Sequence, residues 1–201
     1  MERTELAKEI ARGIAETGIE GAYDTAISST AGDYPCLGIS SWEGNRADSL
    51  LAMLDGGGYY ANRAYSDIKT AGELPALRNL LASEQGKAAQ LELLSSDCLV
   101  YVDELRLVPT LDDSRCLIYC GMWCPTSTYV VTKFLHRRWA MFNLRSLATV
   151  TGLFRDRYWI AADVGETYKR GYESRADRTF EYVKALDLSA YGVPEYGYYG
   201  W

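Results

Sequence analysis

The chain holds a single histidine, His136, and it stands with Lys133, Arg137 and Arg138 on an expected helix. A lone imidazole in that setting reads as a surface or helix-end residue, not a catalyst. Positive charge is scarce too: 21 Lys and Arg face 27 Asp and Glu, for a net charge of −6. A general nucleic-acid binder would carry a basic stripe, and no such stripe runs through this sequence. No apolar run approaches the roughly 18 residues of a membrane-spanning helix. The opening Met1-Glu2-Arg3-Thr4-Glu5 leads into a charged helical pattern, so no secretory signal is expected and synthesis in a reducing cytoplasm is. Walker, Rossmann, G-x-S-x-G and H-E-x-x-H motifs are missing. The five cysteines are an odd number, which argues against a fully paired disulfide framework. Cys116, Cys120 and Cys124 fall on one face of a helix, but they lack a fourth ligand and the C-x-x-C spacing of zinc sites. All five read as small buried apolar residues with free thiols, and no metal or organic cofactor is implied.

What is present is a globular composition, 48% hydrophobic and 24% charged, which excludes disordered, collagen-like and coiled-coil classes. With 201 residues the chain buries about 70% of the surface an unfolded chain of its size exposes. Residues 2–17 have the pattern of an amphipathic helix, with Leu6, Ile10 and Ile14 spaced four apart and Gly18 as its stop. From Ile19 to Trp42 glycine, serine and proline punctuate a stretch suited to loops and a short hairpin. Helix resumes near Asn45, runs through Leu50, Leu51 and Leu54, and stops at Gly56-Gly57-Gly58. A Tyr-rich connector follows, then helices from Pro75 to Leu81 and beyond Gly86. The apolar stretches 98–108 and 115–123 fit helix or strand. Ser127–Leu153 and 155–186 each read as helix, the second with alternating charges typical of an ion-paired exposed face. The prediction is one mostly helical α+β domain over residues 1–188, with a small irregular or β-hairpin insertion after the first helix. Residues 189–201 form a Tyr-rich tail.

The chemistry concentrates between residues 14 and 54. Glu20 lies where a helix ends and a glycine-rich loop begins, a place where a carboxyl group can be walled by apolar atoms yet open onto a cleft. That environment raises a carboxyl pKa and leaves an acid able to protonate a leaving-group oxygen. Gly38 and Gly44 allow close backbone approach, and Tyr23 and Trp42 offer faces for a sugar ring. Glycoside cleavage uses such an acid with a second carboxylate or a substitute for it, and Asp24, Asp33 and Glu43 are the nearby candidates.

These residues carry a resemblance. Glu20-Gly21-Ala22-Tyr23 after an opening helix, then Gly38-Ile39-Ser40-Ser41-Trp42-Glu43-Gly44-Asn45-Arg46-Ala47 ahead of Leu50-Leu51, resembles the lysozyme-like module of phage and clostridial cell-wall lysins. The likeness is close over residues 14–54 and general beyond, including Gly86-Lys87-Ala88-Ala89-Gln90. It implies a lysozyme-like fold and Glu20 as catalytic acid. Ser40, Trp42, Asn45 and Arg46, with Tyr23, would be substrate-binding residues. Ser41 stands where those lysins carry Gln, and Glu43 where they carry His. Glu43 is therefore either a second catalytic carboxylate or a polar substitution on a turn, and Asp33 is the other carboxylate in play. Glu16-Thr17-Gly18 mimics the Glu-Ser-Gly of lytic transglycosylases and makes Glu16 a rival acid.

The resemblance implies a peptidoglycan-degrading glycosidase, muramidase or lytic transglycosylase, acting on the β-1,4 glycan backbone as a phage endolysin or virion component. Its partner would be glycan strands, with no nucleic acid and no membrane insertion. It would be made in the host cytoplasm and act on the wall after release. The rival is a catalytically inactive tail or wall-binding protein on the same scaffold; a third reading is a glycosidase for a cationic polymer such as chitosan. The cluster at Lys133–Arg138 is a solvated face or a contact for anionic wall polymers. The tail Tyr191–Trp201 is expected to pack on its own domain, line the cleft, or form a homo-oligomer or virion contact.

Overall fold

A computed structural model of the chain describes residues 1–197. It is predominantly helical, 60% helix, with one small two-stranded antiparallel sheet. The chain divides into two compact units, Ile14–Ser95 and Met1–Gly13 with Ser96–Trp201. The divisions fall inside the first helix, α1 (Arg3–Thr17), and the long α5 (Glu84–Leu105).

The unit Ile14–Ser95 holds the expected hairpin, β1 (Ala26–Ser28) and β2 (Pro35–Leu37), paired Ala26 with Leu37, Ile27 with Cys36 and Ser28 with Pro35. Then come α2 (Gly44–Ala52), α3 (Tyr65–Thr70), α4 (Leu74–Ala82) and the start of α5. Its core is made by Ile14, Leu37, Ile39, Leu50, Leu51, Ile68, Leu77, Leu81 and Leu94, all fully buried or nearly so. Helix α3 lies in the stretch read as a Tyr-rich connector. The backbone N–H and hydroxyl of Ser66 in its first turn donate to the Asp33 carboxylate, a long-range cap that local pattern does not reveal.

The other unit is built round a helix buried on every side, α6 (Ser114–Gly121), whose eight residues are all buried. This settles the apolar stretch 115–123 as helix, since a helix apolar all round belongs inside a core. The stretch 98–108 likewise continues α5 as far as Leu105. Above α6 stands an aromatic cluster. Trp123 lies 4.8 Å from Phe154 and 5.1 Å from Tyr158 between ring centroids, and Phe134 is 5.2 Å from both.

Two helices expected to be continuous are broken. Ser127–Leu153 forms α7 (Thr128–His136) and α8 (Leu147–Leu153), because Ser127 and Ser146 each cap a new start: their hydroxyls accept from Val130 and Thr149 N–H, both at 3.3 Å. Residues 155–186 open as a π-helical turn (Phe154–Tyr158) and a short α9 (Trp159–Ala161). They then reverse at Asp163, which takes a left-handed φ of 54°, before α10 (Lys169–Ala185). The charged face of this region is ion-paired in part, with Arg155 3.6 Å from Asp177 and Lys169 3.9 Å from Glu173. All five cysteines are buried free thiols.

The described part of the tail packs on its own unit. The Tyr191 hydroxyl donates to Glu5 at 3.1 Å, Tyr196 sets its ring edge-on to Phe180 at 5.8 Å, and buried Arg115 donates to the Pro194 carbonyl at 3.0 Å. Residues 198–201, which complete the tail named above, lie outside the described residues. Truncation after Ala190 takes the Pro194 carbonyl from the Arg115 guanidinium. Hydrogen bonds to charged groups contribute about 1.5–3 kcal/mol, so the melting temperature should fall by about 3–12 °C for a chain of this length. A truncated monomer that melts with the full-length protein would show the tail to be dispensable.

Candidate active site around Glu20

Just beyond α1 the chain turns through Glu20-Gly21-Ala22-Tyr23, and this turn lies against the one that follows β2. Leu37 and Trp42 bond to each other in both directions at 2.9 Å, closing the loop Gly38–Ser41 between them. The Gly38 N–H donates to the Thr25 carbonyl at 2.9 Å, and the Ser41 hydroxyl donates to the Glu20 carbonyl at 3.1 Å. Glu20 is half-buried. Its backbone is thus held by the loop Gly38–Ser41 through the Ser41 hydroxyl.

Behind both turns sits Gln90 of α5, fully inaccessible. Its Nε2 donates to the Tyr23 carbonyl at 3.1 Å and the Leu81 carbonyl at 2.9 Å, while its Oε1 accepts from the Ile39 N–H at 3.0 Å. Such close seating accounts for the glycines. A Cβ on Gly38, whose φ is +69°, would collide with the Gln90 carboxamide, and one on Gly21 would come within 2.6 Å of the Gly38 carbonyl oxygen. Gln90 appeared in the sequence only as part of a general likeness; a lone amide on the apolar face Ala89, Leu93, Leu94 was the signal for it. Tyr23 is half-buried, and its phenol is pushed up by desolvation, drawn down by Lys87 and raised again by Glu16. Lys87 and the rival acid Glu16 therefore both act on the Tyr23 hydroxyl.

The remaining candidates divide. Trp42, expected to present a stacking face, is only 5% exposed, because its pairing with Leu37 turns the indole inward against Gly38. It is a core residue, and that expectation is corrected. Glu43 is exposed, yet one of its oxygens accepts the Cys36 thiol at 2.8 Å; the Leu37–Trp42 bridge sets these two flanking residues side by side. Burial and then Glu43 push the Cys36 thiol up to about 11. The Asp33 carboxylate accepts both Ser66 donors, which hold its pKa below the usual carboxylate range, so it serves α3. Asp33 and Asn45 line a separate cleft of about 330 Å³ with Tyr34, Asp48, Tyr60 and Arg63; Glu20, Tyr23 and Ser40 are not in its lining. Arg46 reaches back to the Leu93 carbonyl at 3.4 Å. Ser40 is half-buried at the end of the closed loop. Among the described residues no group of three or more His, Cys, Asp or Glu side chains is placed to hold a metal ion.

No family model matches the chain, and neither a curated protein nor a solved structure matches it.

Two outcomes test this geometry. Gln90→Met keeps the side-chain length but strips hydrogen bonds from two buried backbone groups, at Ile39 and Leu81, and from the half-buried Tyr23 carbonyl. Each buried unsatisfied group costs about 1–3 kcal/mol, so urea unfolding should register a loss of at least about 2 kcal/mol; an unchanged midpoint would mean the amide holds nothing. The second concerns the thiol. Alkylation of Cys36 in the folded protein, followed by mass spectrometry, should show a midpoint near pH 11. Glu43→Gln removes a negative charge that disfavours the thiolate, so the midpoint must move down.

Proposed function

We propose that the chain is a glycosidase that cleaves the β-1,4 glycan backbone of peptidoglycan, with Glu20 as its general acid. The observation that carries this reading is the clamp between the two motifs: Ser41 on the Glu20 carbonyl, and Gln90 on Tyr23 and Ile39 together. A general acid acts only if its carboxyl is held at a fixed place relative to the scissile bond. In this reading Glu20 gives its proton to the glycosidic oxygen as the bond from that oxygen to the anomeric carbon breaks. Positive charge then grows on the sugar ring, and either water or the substrate's own hydroxyl closes the anomeric carbon and releases a proton. Glu43 bound to Cys36 and Asp33 bound to Ser66 favour this single-acid course over one with a second catalytic carboxylate. A lysozyme-like module, deployed as a phage endolysin or virion component, is the setting the motif resemblance supports.

One observation favours the rival reading, an inactive wall-binding protein on the same scaffold: the inward Trp42 leaves the second motif without its aromatic platform. Turbidity loss on purified walls separates the two. General acid catalysis contributes about 10²–10⁴-fold, and Glu20→Gln should lose that much while its circular dichroism and melting stay those of the parent. Glu16→Gln should keep nearly all activity, and Glu43→Gln should lose about tenfold or less. A Glu20→Gln protein that clears walls at the parental rate refutes the acid assignment. A parent that binds walls without clearing them favours the rival.

A further inference from the structure

The basic cluster around His136 becomes a different object once folded. Lys133 and the α7 end supply one side of a cavity of about 630 Å³, the turn through Met141 and Phe142 a second, and the π-helical turn with Ile160 a third. Lys133, Arg137, Arg138 and Arg157 line it, and no acidic residue does. Elsewhere in this unit cations meet carboxylates, as Arg3 meets Asp103 and Arg145 meets Asp112. Three of these four are held over aromatic rings instead. The Arg138 guanidinium stands 3.9 Å from the Phe134 ring centroid, Arg157 5.6 Å from Phe142, and the Lys133 ammonium 5.1 Å from Tyr129. Arg138 is pulled below the ordinary arginine range by burial and by the repulsion of Arg157 and Arg137. The cluster therefore gains from any anion that enters it. The π turn contributes directly, since it is the turn that carries Arg157.

The apolar residues here are unusually open. Tyr129 is 68% exposed, Met141 70% and Ile160 61%, and adjoining Trp139 is 41% exposed, whereas Trp123 of the same unit is completely buried. A soluble polyanion would take the cations and leave Met141 and Ile160 wet. An anionic lipid interface takes both at once, phosphates against the guanidinium and ammonium groups and acyl-boundary carbon against the apolar side chains.

We propose that this face is a peripheral membrane-docking surface, with Lys133, Arg137, Arg138 and Arg157 meeting the phosphates of anionic phospholipids while Tyr129, Met141 and Ile160 enter the headgroup boundary. No helix among the described residues is long and apolar enough to cross a membrane, so the contact lies on the surface. It uses none of the residues assigned to glycan cleavage and stands whether or not that assignment holds.

The test is co-sedimentation of the full chain with vesicles of phosphatidylcholine containing about 30 mol% phosphatidylglycerol, beside vesicles of phosphatidylcholine alone. Binding is expected to the first and not to the second, and high salt should weaken it. Arg137→Glu with Arg157→Glu should weaken it at least tenfold, and Met141→Ser with Ile160→Ser should weaken it as well, each read beside a melting curve. If the charge reversal melts early, Arg137→Gln with Arg157→Gln serves in its place and should still weaken binding. No sedimentation with the anionic vesicles at low salt overturns the proposal. So does equal binding to a short DNA duplex that depends on the arginines but not on Met141 and Ile160, since that assigns the groove to a soluble polyanion.

Discussion

One carboxamide holds the candidate site together. Gln90 offers two donors and an acceptor from the buried face of α5, and each meets backbone from a different segment: the Glu20–Tyr23 turn, the loop after β2, and the end of α4. Buried amides are costly when any partner is missing, so the three segments are fixed as a set. The glycines at 21 and 38 follow from the same constraint, because two stretches of main chain and a side chain must occupy a space that admits no Cβ. Glu20 inherits its place from this arrangement through Ser41.

The hydroxyl at position 41 ties the loop after β2 to the turn that follows α1. Ser41 takes a left-handed φ of 48° at the close of the loop, which aims its short side chain back at the Glu20 carbonyl. In the opposite direction Glu43, one pleat further on, is drawn to Cys36. The two side chains thus act on different neighbours, Ser41 on the Glu20 backbone and Glu43 on the hairpin.

Much of the architecture was legible because it is local. Leu6, Ile10 and Ile14 are each fully buried, as four-residue spacing on one helix face implies, and the glycine- and proline-rich stretch after them forms the hairpin at the expected place. What escaped was set by contacts distant in sequence or by single hydroxyls. Ser146 starts a helix inside what reads as one continuous helix, and Asp33 caps a helix in what reads as connector. At the site, Glu20 and the second motif were visible as residue types in order. The inward turn of Trp42 and the pairing of Cys36 with Glu43 were not, since both arise from the Leu37–Trp42 bridge, which no periodicity announces.

That last pairing bears on chemical durability. Oxidation of cysteine proceeds through the thiolate, and a thiol titrating near 11 has only about one molecule in ten thousand ionised at neutral pH. A buried thiol on a carboxylate is therefore slow to reach sulfenic acid and slow to exchange with disulfides. The other four cysteines are likewise buried, with burial pushing each thiol up. The thiol chemistry of this chain is therefore slow in reducing and oxidising surroundings alike, with no disulfide to lose in one and no reactive thiolate to mispair in the other.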